Sequence, residues 1–362
     1  MFKNISNKKP IRMWIDGKCF NIKEIKRKSK ETTVTALHSD TTSSSNETNT
    51  QSIQENEEFN GNMQITCDNG KFTTSFCLPK LYYEKIFKFP ELNLKSLSDE
   101  TETEIHIPTK SENGKLMISG ASEENIKLVL KELLPCIGQI RKQTGPVQFL
   151  AIKTTNEEII CNFEKFKSEV LSLDGIKGMH ESIFQKAEKL HLTIDVLSLL
   201  NEQEINEAIT ALNEYKHKLN EIIEKFGPLK IRISGLDCMN NTTNNVHVMY
   251  SNAEIVSDNQ EASLQTIVNN IAEYFYEKGL LKSYSNPVKL HMTVINTKYR
   301  QGTPKKGYNR KWQKRIPFDA TKIMDKYKDF YFGECIFDSV YLCLISTKGD
   351  DGFYKPIHAI HI

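Results

Sequence analysis

A chain of 362 residues has length for about two domains of ~100–200 residues each, and either could bury a core. With 48 Lys and Arg against 46 Asp and Glu the net charge is +2, so a polyanion would have to be met by a local basic stretch rather than by the whole molecule. The eight cysteines (Cys19, Cys67, Cys77, Cys136, Cys161, Cys238, Cys335, Cys343) stand singly with no CxxC pair, which excludes a zinc ribbon or dense disulfide framework and points to reduced thiols inside a cell. No apolar run approaches the ~20 residues that span a bilayer, and MFKNISNKKPIRMW lacks the apolar core of a leader. A soluble intracellular protein with no membrane partner is expected.

The chain opens on a short apolar-basic segment, residues 1–20. Residues 21–60 follow as KRKSK, then TTSSSNETNTQ and acidic residues, with almost nothing to bury, and read as a disordered linker. The run Lys26 to Lys30 is open to two readings, a nuclear address or a solvated charge run. From residue 61 to 144 the texture is that of a small α+β domain in the order strand, helix, helix, strand, strand, helix. FTTSFCLP, TEIHIP and KLMISG read as strands. Helices are expected around Leu81 to Phe87 and Glu91 to Glu100, and over Ser122 to Ile140, where Ile126, Val129, Leu130, Leu133 and Leu134 recur at helical spacing behind a capping Ser122.

Gly145-Pro146 punctuates the chain, and residues 145–362 form a larger region. It begins with the strand-like VQFLAI. Amphipathic stretches follow near Glu158 to Leu171 and Ile205 to Phe226, then strands IRISGL and VHVMY, and a helix over Leu264 to Leu281. Within this region one hexamer is spelled almost twice, KLHLTI at 189–194 and KLHMTV at 289–294, each after a helical stretch. The repeat marks a duplicated helix-plus-strand unit, too long in period for a solenoid, and two pseudo-equivalent halves facing one another.

Along a strand, side chains alternate faces, so His191 and Thr193 project to one side while Leu192 and Ile194 project to the other; His291 and Thr293 behave likewise against Met292 and Val294. Related by a pseudo-two-fold, the two faces would meet across a cleft holding two imidazoles and two hydroxyls. One neutral imidazole can take a proton from an attacking oxygen while the other, protonated, gives one to a leaving oxygen. The hydroxyls can donate to non-bridging phosphate oxygens as charge builds there. The set suits phosphodiester chemistry with no cofactor, and it makes a poor zinc site, having no HExxH or comparable spacing. Which histidine is the acid stays open. A bare His-x-Ser/Thr is cheap, as His180-Glu181-Ser182 shows with flanks that do not alternate; two copies sharing the Lys-Leu-His lead are not.

KLHLTIDVLSLL and VKLHMTVINT resemble the paired motifs of the two-histidine phosphoesterase superfamily, which includes RNA cyclic-phosphate phosphodiesterases and 2′-5′ RNA ligase-like proteins. With WIDGKCF, ISGLDCMNN, KLHMTVINTKYR and a KH-like segment upstream, most of the chain outside the linker is similar to the subunit family of the activating signal cointegrator 1 complex that joins a KH-like domain to such a phosphoesterase domain. The resemblance implies a KH-like βααββα domain at 61–144, then a bilobal, pseudo-two-fold phosphoesterase domain with antiparallel sheets lining a central cleft. It also implies a nuclear protein associated with RNA or DNA that works with the complex's large helicase subunit and other subunits, in transcriptional coactivation and the response to alkylation damage.

Two departures stand out. A KH domain grips the nucleic-acid backbone through a GxxG loop between its first two helices, where this chain reads Lys88-Phe89-Pro90-Glu91, with no glycine to allow close approach; a domain kept for packing or for a partner is the better expectation. Asp195 shares the face of His191 and Thr193, and orienting His191, raising its pKa, or lying at the rim are all open. Beyond the second motif, KYRQGTPKKGYNRKWQKR (Lys298 to Arg315) is a basic loop with interleaved rings, fit to contact phosphates and stack bases, a solvated loop or an import signal being the plainer readings. Tyr299 and Arg300, then Lys305 and Lys306, are the substrate-binding candidates there. His106, His217, His247, His358 and His361 read as structural or solvated. The sequence supports an RNA phosphodiesterase acting by His-His acid-base catalysis at phosphodiesters or cyclic phosphate ends. A non-catalytic RNA-end or nucleotide binding module that recruits or regulates a helicase is the rival, and an interaction scaffold is the third reading.

Overall fold

The computed structural model describes residues 11–15, 18–22, 63–109, 114–240, 242–256, 263–301 and 315–362. Its contacts divide the chain into two compact units, ending and beginning at Gln143 and Thr144.

In the first unit β1 (Ile11–Ile15) and β2 (Lys18–Ile22) pair antiparallel, with Trp14 opposite Cys19. Met13, Ile15, Phe20 and Ile22 are buried, and the Arg12 carbonyl accepts from Arg141 Nε at 3.1 Å. The opening segment is therefore a packed hairpin, and it runs past residue 20 because Ile22 still has an apolar side to bury. A second hairpin, β3 (Thr66–Asp68) and β4 (Lys71–Phe76), leads into α1 (Lys80–Phe87), α2 (Leu94–Glu100), β5 (Thr103–His106), β6 (Leu116–Gly120) and α3 (Glu123–Gln143). The four strands form one antiparallel sheet in the order β3-β4-β6-β5. Ser122 Oγ accepts from the Asn125 N–H at 3.2 Å, capping α3 as its sequence suggests. The second helix starts three residues later than expected, because Asn93 is its cap, accepting from Ser96 N–H.

The second unit runs β7 (Gln148–Lys153), α4 (Glu157–Leu171), β8 (His191–Leu197), α5 (Glu202–Phe226), β9 (Lys230–Cys238), β10 (Val248–Val256), α6 (Leu264–Glu277), β11 (Met292–Asn296), α7 (Thr321–Tyr327), β12 (Tyr331–Ile336), β13 (Ser339–Lys348) and β14 (Tyr354–His361). Its strands form one antiparallel sheet in the order β12-β9-β10-β11-β8-β7-β13-β14. Separate sheets were expected; instead two four-strand halves join edge to edge where Met292 faces Leu192. Strand, helix, motif strand occurs twice, as β7-α4-β8 and β10-α6-β11, which is the duplication the hexamers mark.

Helices and pleating decide which face of each motif strand is left open. Leu192, Ile194, Met292 and Val294 are buried on one side with Ile267, Val268, Ile271 and Phe275 of α6. That face is removed from water by apolar contact, at about 25 cal/mol per Å² of area buried. His191, Thr193, His291 and Thr293 are half-buried on the other. α4 is capped by Asn156, whose Oδ1 accepts from Ile159 N–H at 2.9 Å while its Nδ2 donates to the Glu334 carbonyl at 2.6 Å, fastening the helix to β12.

Candidate active site

The register pair Leu192–Met292 in an antiparallel ladder sets His191 across from Thr293, and Thr193 across from His291. The two motifs are related by a local two-fold through the sheet. Each histidine is fixed the same way: Nδ1 of His191 lies 2.7 Å from the Lys189 carbonyl, and Nδ1 of His291 lies 2.6 Å from the Lys289 carbonyl. A carbonyl only accepts, so Nδ1 carries the proton in both rings, and the neutral tautomer leaves the Nε2 lone pair free. At His191 that Nε2 is 3.0 Å from Thr193 Oγ1, which donates to it.

The lysines of the hexamers have a second use. Lys189 Nζ sits 4.5 Å above the Tyr354 ring, and Tyr354 stands 5.3 Å from the His191 ring; Lys289 Nζ sits 5.2 Å above the Tyr250 ring, and Tyr250 stands 5.2 Å from the His291 ring. The same trio is thus built twice from tyrosines on strands that are not equivalent in the sheet. Tyr250, the register partner of Thr293, donates to Asp237 Oδ2 at 2.9 Å. Burial and that hydrogen bond push its hydroxyl up to about 12, so it is a neutral wall.

Beyond the trio the two sides differ. His191 also meets Phe149 (5.1 Å) and Phe353 (6.2 Å), and Lys153, its register partner on β7, is held by Asp351 at 2.6 Å. Burial, aided by the charges of His291 and Lys189 and opposed by the Lys189 carbonyl, pushes His191 down to about 4. His291 is also lowered, by burial first and Lys289 second. Asp195 does not orient His191: its Oδ1 accepts from the Val196 N–H at 2.7 Å, and burial raises its carboxyl to about 6. A bulge between Leu150 and Ala151 in the β7–β8 register falls beside it.

Of the loop candidates, Tyr299 reaches the site's edge. Its hydroxyl accepts from Gln185 Nε2 at 3.0 Å, and burial, with the nearby Tyr354 second, pushes it up to about 12. Arg300 does not face the motifs; its Nη2 donates to the Gly178 carbonyl at 2.5 Å. Lys305 and Lys306, with most of the basic loop and the run Lys26 to Lys30, lie outside the described residues. His180 of the decoy accepts from Ser182 N–H as a helix cap, the opposite tautomer to the motif histidines. His247 Nδ1 is 3.0 Å from Thr297 Oγ1, a threonine pairing the sequence did not suggest, and His358 Nε2 is 2.8 Å from Asn213 Oδ1.

Sequence reading missed Tyr250, Tyr354, Phe149, Phe353 and Lys153. The shared Lys-Leu lead was the available signal for the carbonyl that holds each imidazole; the walls had none, since they arrive from strands distant in the chain. Among the described residues no group of three or more His, Cys, Asp or Glu is placed to hold a metal ion, and no helix is long and apolar enough to cross a membrane.

A model of the family described as the AKAP7 2′5′ RNA ligase-like domain matches residues 146–362. The chain is 28% identical over 292 residues to activating signal cointegrator 1 complex subunit 1 of Mus musculus, covering 78% of this chain and 82% of that one. It is 28% identical over 225 residues to A-kinase anchor protein 7 isoform gamma of Homo sapiens, covering 59% and 56% of the two chains. Among solved structures, the protein TT0787 of Thermus thermophilus is 17% identical with a TM-score of 0.38, covering 59% of this chain and 97% of that one. A phosphoesterase is 12% identical with a TM-score of 0.33, covering 60% and 99%.

Proposed function

The chain belongs to the AKAP7 2′5′ RNA ligase-like domain family, and from that premise we propose that its second unit is a metal-independent phosphodiesterase acting on RNA phosphodiesters or cyclic phosphate ends. The observation that carries this reading is the pair of imidazoles held by the Lys189 and Lys289 carbonyls on one face of two register-paired strands. His191, the more enclosed and the more strongly lowered, is the general base; His291 is the acid. On a cyclic phosphate, His191 Nε2 takes a proton from water as the water oxygen bonds to phosphorus. The bond from phosphorus to one ribose oxygen breaks, and His291 delivers a proton to that oxygen, leaving a phosphomonoester. Thr193 and Thr293 donate to the non-bridging oxygens. Thr193, bonded to His191 Nε2 in the free protein, frees that lone pair when it turns to the phosphate.

The first unit is read as KH-like, on the order β4-α1-α2-β5-β6-α3 with β6 between β4 and β5. At its α1–α2 joint Phe89 is turned into the core, and Lys88 and Glu91 stand at the two glycine positions, which favours packing or partner docking over a phosphate clamp. Likeness to a cointegrator complex subunit supports a nuclear protein working beside a helicase and other subunits in coactivation and alkylation repair. A single-turnover assay on short RNAs with differing ends tests the catalytic core. Cleavage that resists EDTA and disappears in His191→Ala/His291→Ala is expected; cleavage lost with EDTA and kept in the variant overturns it. One observation favours the second reading, a binding module: both imidazoles are lowered, so neither is charged at neutral pH until an anion arrives. Retained RNA binding with no turnover at any pH would select that reading.

A further inference from the structure

On the His191 side, Lys186 and Lys348 add cations to the Lys189 that the hexamer supplies. Lys189 closes a turn onto Lys186, its N–H donating to the Lys186 carbonyl at 2.8 Å, so the two lysines share one bend. Lys348 is the register partner of Tyr354, the ring on which the Lys189 ammonium rests, and register partners project to one face of a sheet. Turn and ladder therefore bring Lys186, Lys189 and Lys348 together at the mouth beside His191. Lys189 is lowered by burial first and then by the charge of Lys186; Glu188 opposes this, and Lys348 adds the least. Among the described residues, none of the three has a carboxylate within ion-pair distance. Of the carboxylates on the same elements, Asp351 is taken by Lys153, Asp350 is exposed on the turn, and Glu188 lies against the backbone of Gly352. The His291 side offers Lys289 alone over its tyrosine.

We propose that Lys186, Lys189 and Lys348 form a phosphate-binding rim on the His191 side, so that the substrate is an RNA oligonucleotide with at least one phosphodiester beyond the reacting group, not a lone nucleotide. The inference rests on the two-histidine reading above and gives it a polarity: the polyanion runs out past His191. Clustered ammonium groups held in no ion pair are relieved by phosphates, whose binding releases counterions and is steeply salt-dependent.

The test measures affinity of the full chain for a single-stranded RNA tetranucleotide ending in a 2′,3′-cyclic phosphate, and for the nucleoside 2′,3′-cyclic phosphate alone, over a range of salt. The tetranucleotide is expected to bind at least about tenfold tighter, and Lys186→Gln/Lys348→Gln to remove most of that advantage while flattening its salt dependence by about 1.4 log units per decade, two contacts' worth for a single strand. Equal affinities, loss of both by the same factor, or no binding of either probe would overturn the rim. The two readings fail separately. Turnover of the nucleoside cyclic phosphate at the oligonucleotide's rate leaves the histidines standing without the rim. Lysine-dependent binding by a chain that cleaves nothing leaves the rim standing without catalysis.

Discussion

Leu192 and Met292 face each other across the middle of the eight-stranded sheet, and the residues on either side of each are the imidazoles and hydroxyls of the site. The buried Thr154 hydroxyl donates to the Met292 sulfur at 3.3 Å, an acceptor that the leucine at the matching position of the first hexamer does not offer. In the proposed mechanism two groups held in this way act on one phosphorus as a unit. His191→Ala and His291→Ala are each expected to lower kcat/KM by about 10²–10⁴-fold, and the double variant to fall little further. Single-turnover rates on a short RNA, with circular dichroism to confirm folding, check this; independent losses that multiply would contradict it.

The pH profile follows from the two lowered histidines. On the proposed roles the base must be neutral, so the acid limb of kcat/KM reports His191 near 4; the acid must be charged, so the alkaline limb reports His291 below the ordinary 6.5. The expected bell peaks at acid pH and falls toward neutrality. A profile rising through pH 7 would place the wrong groups at the site.

Phe353 tests why His191 is lowered. Its ring stands 6.2 Å from the imidazole and is buried. Phe353→Leu keeps apolar bulk yet admits more water, so the acid limb should move upward while the alkaline limb stays. Movement of both limbs together, or of neither, would show that the Phe353 wall is not what lowers His191.

Asp195 gives a stability prediction of opposite sign to the usual carboxylate. Its folded pKa, about 6, lies above the ordinary 3.8, so the unfolded chain releases the proton more readily, and stability from this group is lost as pH rises between those values. Asp195→Asn keeps an acceptor for the Val196 N–H. It is expected to stabilise the protein above pH ~6 by about 1–2 kcal/mol after allowance for partial exposure, and to do nothing below ~4. Chemical denaturation at the two pH values reads this directly.

The motif strands were legible because alternation is local: four residues sufficed to say which side chains share a face. The cap at Ser122 was legible for the same reason. The end of α6 was not, and the helix stops at Glu277 although apolar residues continue to Leu281. Gly279, at φ +74, turns the chain, its N–H donating to the Tyr276 carbonyl and that of Leu280 to the Phe275 carbonyl. This leaves Leu280 and Leu281 buried as packing, indistinguishable by periodicity from another helical turn. The aromatic walls were hidden for a different reason. Phe353 and Tyr354 reach His191 only because β14 closes back on β13 and β13 lies beside β7, an order no nearest-neighbour pattern encodes.

The two halves of the sheet meet at the Leu192–Met292 pair, with α6 packed beneath β8 of one half and β10 of the other. The gap between the two imidazoles is therefore gauged by apolar volume under the seam rather than by a long zip of backbone bonds. A methylene trimmed from that hidden layer, on the face away from both imidazoles, would be felt between them as a change of reach.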